Sequence, residues 1–157
     1  MYKMLSVMLF SGMLAATGEE RSWITIPANV KELTGYKLRD KVISLNDYNL
    51  WVVANEETFD RIFVADTATT ARPDFAKELV LAAKVITAAN SYKVKFKTVI
   101  EKDETLNVYF SIQRNKKEQE DTGAAFITVY PKSATVKKVN FYHDNRLVRT
   151  VPMVAVY

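Results

Sequence analysis

The sequence predicts an α+β fold of mostly antiparallel β-structure, a sandwich or partly open barrel of roughly six to eight strands with one short helix. Two neighbouring segments, residues 92–100 and 105–113, alternate apolar and polar side chains with period two, as a sheet buried on one face requires. From residue 79 to residue 151 one β-type run follows another with mostly short connections, which favours antiparallel neighbours. A single segment, after Asn55, carries helical spacing.

The chain starts with a short head bearing Lys3, then an almost apolar block from Leu5 to Ala16, then small residues up to Gly18, before Glu19, Glu20 and Arg21 restore charge. That order predicts a secretory signal peptide over residues 1–18, cleaved after Ala16 or Gly18. The competing account is a buried strand or helix of the folded domain. The block is shorter than the run of about 20 apolar residues that crosses a bilayer. Residues 19–157 are expected to form one β-rich globular domain in the periplasm or outside the cell. With 48% hydrophobic residues and only four glycines and four prolines, the chain is built for a packed core rather than disorder. It has no cysteine. Disulfides, a thiol-linked lipid anchor, thiol catalysis and cysteine-ligated metal are therefore excluded.

Residues 22–26, centred on Trp23, predict a short strand stopped by Pro27. Residues 28–47 have no clean period. Residues 50–54 read as a buried strand, after which Asn55 offers an N-cap and Glu56 and Glu57 suit the first helical turn. Phe59, Ile62 and Phe63 then mark one apolar helical face. Residues 79–86 form the next strand. In residues 92–100 the pattern places Tyr92, Val94, Phe96, Thr98 and Ile100 inward and Lys93, Lys95 and Lys97 outward. After a turn at residues 101–103, Leu106, Val108, Phe110 and Ile112 point inward. Residues 125–130 form a strand closed by Pro131, and residues 135–142 and 147–151 flank a hairpin turn at residues 143–146.

Residues 50–113 resemble a known family. The order is strand, short helix, the run Pro73-Asp74-Phe75-Ala76-Lys77-Glu78-Leu79-Val80-Leu81-Ala82, a turn, Tyr92-Lys93-Val94, and Leu106-Asn107-Val108-Tyr109-Phe110. This is similar to the PrcB-like domain, in which an Asp-Phe-x-Lys-Glu-x-Val-Leu segment enters a strand and a glycine-containing turn precedes an aromatic strand. At that turn this chain has Ala88-Ala89-Asn90-Ser91-Tyr92, keeping the tyrosine and replacing the glycine by Ser91. The resemblance implies a non-catalytic domain that accompanies or stabilises a protease at the cell envelope.

The residues themselves offer little reactive chemistry. His143 is the one histidine, and its neighbour Asp144 is expected to point elsewhere, so the pair reads as part of a turn rather than of a triad. The carboxylates at Glu19-Glu20, Glu56-Glu57 and Glu101/Asp103-Glu104 fall at a terminus, a helix start and a turn. None has the facing geometry of a glycosidase, and none has the alternation of a calcium loop. Four scattered glycines make no phosphate-cradling loop. The net charge of +4 comes from 22 basic and 18 acidic residues. The longest charged stretch, residues 114–121, mixes both signs, which argues against nucleic acid.

The expectation is a non-enzymatic protein-binding domain without cofactor or metal. Its partner would be another envelope or secreted protein, such as a protease, which it stabilises or inhibits. The candidate contact residues are Lys93, Lys95 and Lys97, side by side on one strand face, with Asn90, Ser91 and the outward Tyr109. A strand edge or the loops at residues 88–91 and 115–123 would carry the contact. The plainer account of the lysines is a solvated sheet face that resists aggregation. The alternative function is a glycan- or polyanion-binding β-module of the envelope, using Tyr109 and Tyr142 with the lysines.

Overall fold

A computed structural model describes residues 30–39, 48–66, 71–87, 90–114 and 125–153. The expected signal peptide, the strand at residues 22–26 and the loop at residues 115–123 lie outside these residues. In chain order the described residues form β1 (Lys31–Glu32), β2 (Tyr36–Leu38), β3 (Asn49–Val53), α1 (Glu56–Ile62), β4 (Phe63–Ala65), β5 (Glu78–Thr87), β6 (Asn90–Lys102), β7 (Thr105–Arg114), β8 (Phe126–Pro131), β9 (Lys138–His143) and β10 (Arg146–Pro152). Eight strands join in the order β1-β8-β5-β6-β7-β9-β10, with β3 on β5 as a branch, and β2 and β4 form a separate ribbon. The order ends at β1 and β10, so the sheet is an open sandwich and does not close into a barrel.

The helix begins as its sequence dictates. Asn55 is extended, and its side-chain oxygen accepts a hydrogen bond from the Thr58 N–H at 2.8 Å, satisfying one of the orphan donors of the first turn. Phe59 and Ile62 are buried. Phe63 departs from the expected helical face: it is the extended C-cap residue and opens β4. It stays buried because Phe59 lies 5.0 Å away, ring to ring.

β5 explains the layering. Over residues 80–83 it pairs with β3 and also with β8, and residues 85–87 pair with β6. Its two faces enter two different cores. Leu79, Leu81, Ala83 and Val85 pack with Val94, Phe96, Val108, Phe110, Val139 and Phe141 between the two halves of the sandwich. Val80 and Ala82 pack with Phe59, Ile62, Phe63 and Ile127 beneath α1 and the β2–β4 ribbon. A strand covered on both faces needs a near-continuous apolar run, which is what residues 79–86 are, save for the buried Lys84 opposite Asn49.

The β6–β7 pairing corrects the expected alternation. The register shifts between Phe96 and Thr98, so Lys97 and Thr98 together oppose Tyr109. Beyond this bulge, Val99 rather than Ile100 joins the core, opposite Val108, while Thr98 is buried as expected although it lies opposite the outward Tyr109. One inserted residue has reversed the phase of the strand. The β6–β7 turn is centred on Asp103 and Glu104, both with positive φ (50° and 59°), and Asp144 and Asn145 repeat this between β9 and β10 (43° and 69°). Two consecutive residues of positive φ match the twist of a tight hairpin. β9 pairs with β7 in parallel, the one exception to antiparallel pairing among the described residues.

Candidate functional site

The ladders β6, β7, β9 and β10 set the outward residues of one sheet face side by side. Lys93 lies opposite Gln113 and Lys95 opposite Ser111. Tyr109 lies beside Tyr142, and Tyr142 beside Leu147. Lys93, Lys95 and Lys97 are exposed, and Leu147, 49% exposed, is one of the two large exposed apolar residues among the described ones.

The three lysines are not equivalent. Lys97, the bulged residue, places its Nζ 2.8 Å from Asp144 Oδ1 in the β9–β10 turn. That hydrogen bond, with the lysine charge behind it, holds the Asp144 carboxyl below its ordinary pKa. Lys93 and Lys95 make no ion pair among the described residues. The expected strip of three free cations is therefore two free cations and one tethered.

Tyr109 is half-buried rather than open, because Tyr142 stacks on it with centroids 4.7 Å apart and planes 13° from parallel. Burial, and to a lesser degree the neighbouring phenol, raises the Tyr109 pKa. The separation equals the spacing between adjacent strands. The stack therefore runs along the sheet, and the rings stand on edge with their faces turned toward neighbouring strands. Below the pair, Asn140 Nδ2 donates to Asn107 Oδ1 at 3.3 Å and Thr150 Oγ1 donates to Asn140 Oδ1 at 2.8 Å. These bonds tie β7, β9 and β10 together on the same face.

Asn90 and Ser91 are not loop residues. They open β6, opposite Thr87 and Ile86, and the rest of the expected loop, residues 88–89, lies outside the described residues. The β10 edge also makes a poor docking strand. It carries a register shift between Leu147 and Arg149, exposed Arg146 and Arg149, and Pro152 at its end. Each of these discourages a further strand from pairing.

The segment that carries the family resemblance is a structural turn. The Asp74 carbonyl accepts from the Lys77 and Glu78 N–H groups, Asp74 Oδ1 accepts from Ala76 N–H, and Glu78 Oε2 accepts from Asp74 N–H. Phe75 packs on Phe59 at 5.5 Å. The motif aims the chain into β5.

His143 is better connected than its neighbours in sequence suggest. Its Nδ1 lies 2.9 Å from the Tyr48 hydroxyl and its ring stacks on Phe110 at 5.5 Å. Asp144 does come near it, with Oδ2 3.2 Å from Nε2, contrary to the expectation that it would point away. The angle is not that of a hydrogen bond, since Nε2 is buried without such a partner. Both ring nitrogens are thus enclosed: one holds the segment before β3 through Tyr48, and the other is shut from solvent. Where β6 and β8 diverge, a cavity of about 140 Å3 lies among Val30, Phe96, Val99, Phe126 and Thr128. Thr98 lines it too, but its hydroxyl is inaccessible and without a hydrogen-bond partner.

Among the described residues no helix is long and apolar enough to cross a membrane. Comparison with protein-family models, curated proteins and solved structures found no match to this chain.

Proposed function

We propose that this chain is a secreted or periplasmic, non-enzymatic protein-binding domain, the partner of a protease complex that it stabilises or restrains. The observation that carries the reading is the outer face of β6, β7, β9 and β10. Tyrosine and exposed leucine sit together there, on a face that also carries the exposed Lys93, Lys95, Lys102 and Lys138, none of them in an ion pair among the described residues. Aromatic residues of this kind anchor protein interfaces. The enclosure of both His143 ring nitrogens favours a structural use of the one histidine. The envelope location rests on the signal-like first eighteen residues, and the protease on the resemblance at residues 50–113.

The test is cross-linking of the full chain in the native envelope. Repeated recovery of one protease or envelope protein, lost when Tyr109 and Tyr142 are both changed to alanine, is the expected result. Recovery of no defined protein, or of one indifferent to both tyrosines, defeats the proposal.

A second reading, a glycan- or polyanion-binding module, draws on the same residues. Sugar stacking needs outward ring faces, and these rings stand on edge, so a glycan would meet hydroxyls and ammonium groups instead. Glycan-array binding abolished by Tyr109→Ala would favour it.

A further inference from the structure

Beyond any part in binding, we propose that Tyr109 and Tyr142 are an oxidative cross-linking site, whose product, a dityrosine, joins β7 covalently to β9. The two residues are partners in the parallel ladder, and their rings stack with centroids 4.7 Å apart and planes 13° from parallel. Both strands carry Asn-x-Tyr in the same register, and the Asn140–Asn107 and Thr150–Asn140 hydrogen bonds hold that register one step away. This is the one contact between two tyrosine rings among the described residues. On their outer sides Tyr109 meets Lys97 and Thr98, and Tyr142 meets Leu147. None of those side chains couples with a phenoxyl radical, so each ring has the other as its partner. Both rings are half-buried on an open sheet face, where an oxidant can reach them and their outer ends can tilt together.

The oxidant is hydrogen peroxide acting through a haem peroxidase. A phenol is protonated at neutral pH, Tyr109 the more so because burial raises its pKa. Each ring therefore loses a hydrogen atom, electron and proton together. A carbon–carbon bond forms between the positions ortho to the two oxygens, and each of those carbons returns its proton to restore a phenol. One peroxide takes up the two hydrogen atoms and leaves as two waters. The chain has no cysteine, so no thiol of its own quenches the radicals and no disulfide closes a loop. A bond from Tyr109 to Tyr142 closes a loop that contains all of β8. Such a closure stabilises a fold by restricting the unfolded chain.

The experiment treats the full chain, at low concentration, with a haem peroxidase and hydrogen peroxide. The expected product is a monomer lighter by two hydrogen atoms, with dityrosine fluorescence, whose digest contains peptides joined at Tyr109 and Tyr142. Its melting temperature should rise by about 5–10 °C. Tyr142→Phe keeps a ring in the stack but has no phenol, and it should abolish the product. Tyr92→Phe removes a half-buried tyrosine that touches no other, and it should leave the product unchanged. Chain recovered from its own cells after exposure to peroxide should carry the same joined peptides. Covalent dimers in place of the monomer, coupling at other tyrosines, undiminished product from the Tyr142→Phe protein, or no coupling at all overturns the site. A joined chain that melts no higher than the untreated one overturns the stabilising role, and peroxide-exposed cells that yield only unjoined chain overturn its use in the cell.

Discussion

Lys97 reaches over β7 to Asp144, Nζ to Oδ1 at 2.8 Å, and so joins the bulge of β6 to the turn between β9 and β10. The pairing follows from the bulge, which adds a residue to β6 at the level of Tyr109.

The Asp144 carboxyl has a pKa below its ordinary 3.8, chiefly through the Lys97 hydrogen bond. A lowered folded-state value means that the stabilisation is complete above pH 3.8 and is lost as the pH falls through the lowered value. Acid titration of melting temperature should therefore show wild-type and Asp144→Asn proteins converging below that range. Both partners are exposed, so the difference at neutral pH should be small and should fade in about 1 M salt, where the Debye length is about 3 Å. A difference that persists in salt would contradict this.

The Tyr109–Tyr142 stack should show itself in a double-mutant cycle. With each ring replaced by leucine, the coupling energy should be about 0.5–1.5 kcal/mol. Spectrophotometric titration should find Tyr109 ionising later than an ordinary tyrosine, chiefly through its burial, and Tyr142→Leu should remove only the smaller part of the shift that the neighbouring phenol supplies. Because the folded value is raised, the associated stability is present below pH 10.0 and is lost as the pH rises through that raised value.

Glu104 has a φ of 59° with neither the small side chain nor the local hydrogen bonding that makes asparagine tolerable there. Glu104→Gly should stabilise the protein by about 0.5–1 kcal/mol in chemical denaturation, less what the exposed Lys137 pair contributes. Asn145→Gly, at a φ of 69° in the matching turn, should gain less. Equal gains would show that turn strain is not the cause.

Leu81 is fully buried in the inter-sheet core. Leu81→Ala should cost about 2–5 kcal/mol in denaturant unfolding. Leu147→Ala, on the open face, should stay within about 0.5 kcal/mol of wild type.

Local pattern made most of the strands legible. The alternation around Leu106 and Val108, the cap at Asn55 and the apolar run at Leu79 each impose their element through nearest neighbours alone. The bulge was hidden because Thr98, Val99 and Ile100 all suit a strand, so either phase satisfies the pattern until Val108 and Tyr109 choose one. Lys84 was masked by the hydrophobicity of its own run. The two-residue β1 and three-residue β2 and β4 are too short for any period to register. The candidate face was half legible. The lysine row follows from period two on one strand, whereas the tyrosine stack and the Lys97 tether need β9 in parallel beside β7, and sequence spacing carries no sign of that pairing.

The central place of β5 bears on how the molecule comes apart. Leu81 and Val80 face opposite layers, and each also belongs to ladders on two sides. Neither layer can peel away while the other stays intact, because both use the same ribbon as a wall. Amide protons of residues 80–83 should exchange only by global opening, and the helix layer and the outer sheet should melt in a single transition.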